Sequence, residues 1–337
     1  MASFEINVDM ILEILSHSHV SVVEKSRLLN KEFNKRTHDS SFLKLKLKNI
    51  NSVSGYFVEY NKSLTPLFTF IKNDGIIPHG SEISLDFLPP GRIHIKACDA
   101  SHGVLVCVND LPVRGRHPKY MVCKPTTKQY QIIPRPKTRH FTIAFGLVVM
   151  RTDPLRRLSK NVELPAEDMP GVRMSEPVAA YEFLHWLTAN NNVLRFCLKT
   201  DTWSFLAVPE HLASEKSLKL ARYEGKLGVF RSRSKEYHEI WVLESSLGSS
   251  WVKVKEIKSM GLEPVGILSN DVVTLVDKEK FLYNYNMNNG KSQKLQIRSP
   301  RFSPYMVANS SYFHLCSDFK RVKFGGRSNG YQQDKSL

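Results

Sequence analysis

The sequence predicts an α+β chain in which a small helical module precedes a mostly β, propeller-like body, and three observations carry that prediction. Apolar residues repeat with a helical period only near the start of the chain. Beyond residue 50 that period gives way to short runs rich in Val, Ile, Phe, Tyr and Trp, divided by turns of Gly, Pro, Asn, Asp and Ser. Four of those runs repeat one design, an apolar strand, a polar turn and a second strand, centred near Cys123, Cys197, Val242 and Asn286 at intervals of 74, 45 and 44 residues. A period of roughly 40 to 50 residues with several strands per unit marks stacked propeller blades, each too small to bury both faces alone.

The helical elements come first. Val8, Ile11, Leu12 and Leu15 fall on one stripe, Asn7 stands where it caps the helix, and Asp9 suits its positive end. A second helix is expected to open on Ser21 with Glu24 three residues later, the capping-box spacing, and to present Val22, Ser26, Leu29 and Phe33 on one face. Helices of this size cannot enclose a core of their own, so they leave apolar surface for another packing partner.

Read without gaps, residues 6–47 resemble the F-box. Asp9, Ile11-Leu12, Glu13-Ile14-Leu15, Val20, Val23, Arg27, Lys31, Phe33 and Asp39 with Phe42 stand where that motif expects such residues. Departures are Ile6-Asn7 for Leu-Pro, Ser18-His19 for a second Leu-Pro, Asn30 for Ser and Phe33 for Trp. The resemblance implies a three-helix module over residues 1–48 that docks on a Skp-type adaptor and, through it, a cullin. It implies that Ile11, Leu12, Leu15, Val23, Leu28, Leu29 and Phe33 serve either the adaptor groove or the module's own small core.

The body follows. The repeating units are residues 120–134, 193–209, 240–254 and 281–295, and the long first interval has room for a degenerate copy over residues 141–150. Residues 49–94, with Gly55, Gly75, Pro78, Gly80 and Pro89-Pro90, are expected to be a connecting region with short strands. Residues 95–322 resemble the F-box-associated domain of a large plant family, through Ala100–Cys107, Cys123–Tyr130, Tyr181–Leu187 and the 196–209 unit. That resemblance implies a β-rich, substrate-binding domain. Residues 323–337 are polar and expected to form a loose tail.

Composition excludes several classes. With 42% hydrophobic and 24% charged residues, most of the chain should fold. No apolar run is long enough to span a bilayer, and no cationic start precedes an apolar core, so neither membrane nor secretory leader is expected and the cytoplasm or nucleus is. The five cysteines are scattered and never spaced as C-x-x-C, and His185 has no second ligand at short spacing, so no metal or cofactor is expected. Trp186, Trp203, Trp241 and Trp251 read as blade-packing residues. Phosphate-loop, dinucleotide, metalloprotease and nucleophile-elbow motifs are missing, so the chain reads as a non-catalytic receptor. Net charge is +16, of which residues 1–50 hold only +2, and the remainder is scattered in short groups. The charge keeps an alternative open, a basic β-rich module for nucleic acid or an acidic protein partner.

Overall fold

A computed structural model describes residues 7–18, 20–50, 52–62, 65–73, 83–110, 118–133, 142–147, 162–165, 176–213, 218–246, 248–295, 310–322 and 324. Four short helices open it: α1 (Val8–His17), α2 (Val20–Leu29), α3 (Lys31–Arg36) and α4 (Ser40–Asn49). Asn7 caps α1 as its position suggests, its side chain accepting from the Asp9 amide at 3.1 Å. The second helix differs from expectation at both ends. It begins at Val20, which places Ser21 inside the first turn instead of before it, so the capping-box spacing does not mark the helix start. It ends at Leu29, because the Asn30 side chain accepts from the Glu32 amide at 2.7 Å and starts α3. An Asn side chain that binds the backbone locally favours a cap over helix continuation. The three expected helices therefore become four, and Phe33 leaves the face it was to share with Val22 and Leu29.

The module's core is small: Leu15, Val23 and Phe42, with Ile11 and Leu12 packed against them.

All further described elements but a short helix, α5 (Glu210–Ala213), and a single 3-10 turn at Pro125–Thr127 are strands. The chain first lays down β1 (Ser52–Lys62) and β2 (Thr65–Lys72), and β1 pairs on its other side with β21 (Ser310–Asp318). β1 is a long, buried strand of 11 residues and β2 a half-buried one of 8, whereas residues 49–94 read as a connector with short strands. Val53, Tyr56, Phe57, Val58 and Tyr60 form a buried run without polar alternation, and Gly55, which reads as a turn signal, sits so close to the Ile71 backbone and the Phe70 ring that a Cβ has no space. Pro66 lies in β2, the sheet's edge, where a missing N–H costs no ladder bond.

Four four-stranded sheets follow the same plan. They are β3 (Ile93–Asp99), β4 (Val104–Asn109), β5 (Lys119–Lys124) and β6 (Gln129–Ile133); β9 (Val178–Ala180), β10 (Phe183–Leu187), β11 (Val193–Cys197) and β12 (Trp203–Leu206); β13 (Lys219–Tyr223), β14 (Lys226–Ser232), β15 (Tyr237–Leu243) and β16 (Trp251–Lys258); and β17 (Glu263–Ile267), β18 (Val272–Val276), β19 (Leu282–Asn286) and β20 (Ser292–Lys294). Between the first two lies a two-stranded sheet, β7 (Thr142–Gly146) with β8 (Val162–Pro165), in the interval assigned to a degenerate copy. Each repeating unit of the sequence is the last hairpin of a sheet: β5–β6, β11–β12, β15–β16 and β19–β20. The arrangement is a β-propeller. Its ends meet in one sheet, where β1 pairs with β21 over nine residue pairs from Ser52↔Asp318 to Tyr60↔Ser310.

Aromatic and aliphatic side chains pack on the faces of the sheets. Trp186 is wholly buried against Leu184, Leu194 and Phe196, with the Trp203 ring 5.6 Å away. Trp251 is buried too, and Trp241 donates Nε1 to Glu239 at 2.9 Å. His185 is buried, its Nδ1 3.0 Å from the Val178 carbonyl, and burial lowers its pKa to about 4, so it is neutral. All five cysteines are free; the Cys107 and Cys123 sulfurs, on adjacent strands, lie 3.8 Å apart. No cluster of metal-ligating side chains occurs among the described residues, nor is any described helix long and apolar enough to cross a membrane. The tail expected at 323–337 lies, apart from Phe324, outside the described residues.

Candidate functional site

Two surfaces draw attention, the helical module and the central channel, and one set of hairpin turns joins them. The turn between β13 and β14 is Glu224-Gly225, with φ of 51° and 78°. Both residues are left-handed, the backbone that a two-residue hairpin of natural twist demands, and Gly adopts it without strain. His38 Nε2 comes to 4.0 Å from where a Cβ on Gly225 would sit. The turn between β17 and β18 makes firmer contact. Asn270 donates its amide to the His38 carbonyl at 3.1 Å and its side chain to the Lys35 carbonyl at 3.1 Å. Asp271 accepts from the Ser40 amide at 3.0 Å and from the Ser40 hydroxyl at 2.6 Å.

Asp39, at the N-cap position of α4, makes no cap bond of its own. A carboxylate of the propeller therefore occupies the helix N-terminus, where backbone N–H groups and the helix dipole favour negative charge. Burial alone would raise the Asp271 pKa, but hydrogen bonds from Ser40 and Ser269 outweigh it and hold the carboxyl below its ordinary range. The module is fastened inwardly as well. Arg27 donates to the Thr37 hydroxyl at 2.9 Å and to its carbonyl at 3.0 Å, and Lys46 donates to the Ser18 carbonyl at 2.9 Å. Burial lowers these cations, Arg27 to about 10 and Lys46 to about 8.

Beside exposed charged residues such as Asp9, Glu13 and Lys25, the module leaves several large apolar side chains uncovered. Leu28 is 87% exposed, Leu29 84%, Ile14 62% and Met10 60%, with Val22 exposed beside them. The structure thus divides the seven residues singled out from the sequence. Leu15 and Val23 are core, Ile11 and Leu12 pack on that core, Phe33 is half-buried, and Leu28 and Leu29 face solvent. Met10 and Ile14 were not among those seven. They are four residues apart and border the buried stripe, so a wider apolar arc on the same helical wheel would have included them. Asn270 and Asp271 carried no local signal for these contacts, since their partners Lys35 and Ser40 lie 235 and 231 residues away.

The channel is a cavity of about 1250 Å³ walled by the innermost strand of the sheets, including Cys98 of β3, Val178 of β9, Lys219 of β13, Val265 of β17 and Tyr312 of β21. Glu24 of α2 also forms part of the wall, as does Gly225 of the turn that approaches His38, so the helices border one end. Glu176 and Lys219 lie among the lining residues, before or at the start of inner strands, away from the turns that meet the helices. Burial pushes the Glu176 carboxyl up to about 8, against the pull of Lys219 and of the Cys98 amide. Burial lowers the Lys219 ammonium, and Glu176 and Glu263 raise it. Lys219 donates to the Pro264 carbonyl at 3.2 Å and forms no ion pair with a described residue.

A ring of small antiparallel sheets closed by pairing of its first and last strands, with a helical module fastened on its turns, defines a β-propeller that carries an N-terminal helical module. Residues 182–304 match the F-box associated beta propeller domain. The chain is 41% identical to F-box protein At5g41720 of Arabidopsis thaliana over 165 residues, which cover 46% of this chain and 85% of that relative. On that identity and coverage the chain belongs to the plant F-box proteins with an F-box-associated domain. Among solved structures, TolB from Acinetobacter baumannii aligns with a TM-score of 0.38 at 11% identity, over 78% of this chain. This chain spans 58% of that TolB's length. A DUF4784 family protein from Bacteroides caccae aligns with a TM-score of 0.41 at 10% identity, over 78% of this chain and 74% of its own.

Proposed function

We propose that the chain is the substrate-recognition subunit of an SCF-type ubiquitin ligase: residues 1–48 dock on a Skp-type adaptor and through it a cullin, and the propeller holds a target protein for ubiquitination and degradation. The observation that carries this reading is the exposed apolar ridge. A module whose own core is three buried side chains, and whose other side is taken up by the propeller, still presents Met10, Ile14, Val22, Leu28 and Leu29 to solvent. Five large apolar side chains exposed on two short helices supply surface suited to a protein–protein contact. The ligase chemistry belongs to the recruited enzyme, and the receptor supplies proximity by raising the effective concentration of target lysines.

Of the seven residues picked from the sequence, Leu28 and Leu29 are the anchors in this reading. Leu15 and Val23 hold the module together, Ile11 and Leu12 lie between the two roles, and Phe33 borders the site. Replacing Leu28 and Leu29 by Ala should cost about 2 kcal/mol or more of adaptor binding with the fold intact, since neither side chain is buried. Pull-down of a Skp-type adaptor and cullin by wild-type and doubly substituted chain measures it. Full retention of adaptor by the double variant would remove the anchors, and failure of the wild type to capture any adaptor would remove the reading itself.

A further inference from the structure

We propose that the channel receives an acidic stretch of the target polypeptide, entering from the end opposite the helices and held through its carboxylates by Lys96 and Lys219. This deepens the receptor reading and rests on it. The argument starts from how the charges of the wall are engaged. Its carboxylates have partners: Glu59 accepts from His94 Nδ1 at 2.7 Å and from the Ile95 amide at 3.0 Å, Asp99 from His102 Nδ1 at 3.1 Å, and Glu182 from Lys199 at 2.7 Å. Glu24 is outnumbered at the helix end by Arg27, Lys46 and Arg222. Glu176 is mostly protonated at neutral pH. The cations Lys96, Lys219 and Arg222 line the same space and form no ion pair with a described residue. The free charge of the channel is positive.

Backbone geometry points the same way. β3 shifts register between Ile95 and Ala97, which makes Lys96 the extra residue of a bulge, and β17 does so around Val265. Bulges re-aim side chains, and both of these residues line the channel. At about 1250 Å³ the space exceeds the roughly 300–1,000 Å³ typical of small-molecule sites and suits a segment of chain. Of the wall's aromatics, Tyr56 and Phe313 are buried within their sheets, Phe183 has the Arg195 guanidinium 5.0 Å over its ring, and Tyr181 and Tyr312 are half-buried, so single-stranded nucleic acid is the competing occupant against which peptide binding is compared. A net charge of +16 adds long-range attraction for an acidic target.

Fluorescence anisotropy on the full chain tests the assignment with three labelled probes: a short Asp/Glu peptide, a Lys/Arg peptide of equal length, and a single-stranded RNA of matched charge. Only the acidic peptide should bind well. The double variant Lys96→Gln/Lys219→Gln should weaken it roughly tenfold or more, and Lys219→Met, which keeps the aliphatic stem, should weaken it in the same direction. Lys258→Gln/Lys291→Gln, on exposed positions outside the channel, should leave it unchanged. Equal losses from both double variants would make the effect diffuse surface charge and overturn the proposal, as would RNA binding tighter than the peptide. Adaptor pull-down on the same samples separates the two readings. Captured adaptor without peptide binding sinks the channel assignment alone, and peptide binding without adaptor sinks the ligase reading alone.

Discussion

Asp271 does for α4 what the helix's own N-cap residue does not. Its carboxylate satisfies the Ser40 amide and hydroxyl across the boundary between helices and propeller, so one side chain both caps a helix and fixes the module's place. Replacing it by Ala should cost about 1–2 kcal/mol, the usual worth of a lost cap, and should loosen α4 before the propeller melts. Amide hydrogen exchange at residues 40–43 reads the local effect and thermal unfolding the global one. The pH dependence has a definite sign. The folded carboxyl lies below the ordinary aspartate value of 3.8, so its contribution is present above that value and fades as pH falls through the lower folded one. Short-range devices of this kind are legible in sequence when both partners are neighbours, as for Asn7 with Asp9. Asn30 was visible only as a departure from a pattern, although its cap is equally local.

At the scale of elements, the outer hairpins were the legible part of the propeller. β5–β6, β11–β12, β15–β16 and β19–β20 keep a polar turn between two strands, so each announces itself. The inner strands are shorter or bulged, and their residues face a channel whose chemistry has no period. β1 and β2 misled for a different reason. Buried on both faces and carrying a Gly chosen for close packing, β1 shows neither alternation nor a clean boundary. The seven candidate residues of the helical module were legible as a set but not as roles, because its buried and exposed apolar side chains share the same helices. An element-scale lock joins the first full sheet to the closing strand. Lys124, buried at the end of β5, donates to the Asp318 carboxylate and at 2.7 Å to the Lys320 carbonyl, and Thr126 donates to the Asp318 carbonyl at 2.8 Å. Breaking a buried pair by removing one member leaves the other uncompensated. Lys124→Ala should cost about 3 kcal/mol in urea denaturation, and Lys124→Met with Asp318→Asn should recover part of that loss.

For the whole molecule, closure and channel are one problem. Pairing of β1 with β21 holds the ring shut, and a closed ring forces the inner strands to surround a space that water and charge must share. Glu176 records the cost of that space. Cys98, Tyr56 and Lys219 surround it, and burial raises its pKa from the ordinary 4.5 to about 8. Between those two values the folded chain holds a proton that the unfolded chain has released, so raising pH favours unfolding. The contribution is fully present below 4.5, is lost as pH rises to about 8, and is flat beyond. Glu176→Gln keeps the shape of the protonated acid and cannot ionise, so its melting temperature should match wild type near pH 4.5 and exceed it increasingly up to about pH 8, the gap then holding constant. Parallel pH profiles for the two proteins would mean that the carboxyl stays ionised through this range. In that case the channel's net charge would be lower than its engaged carboxylates indicate, and Lys219 would face a partner in place of an open site.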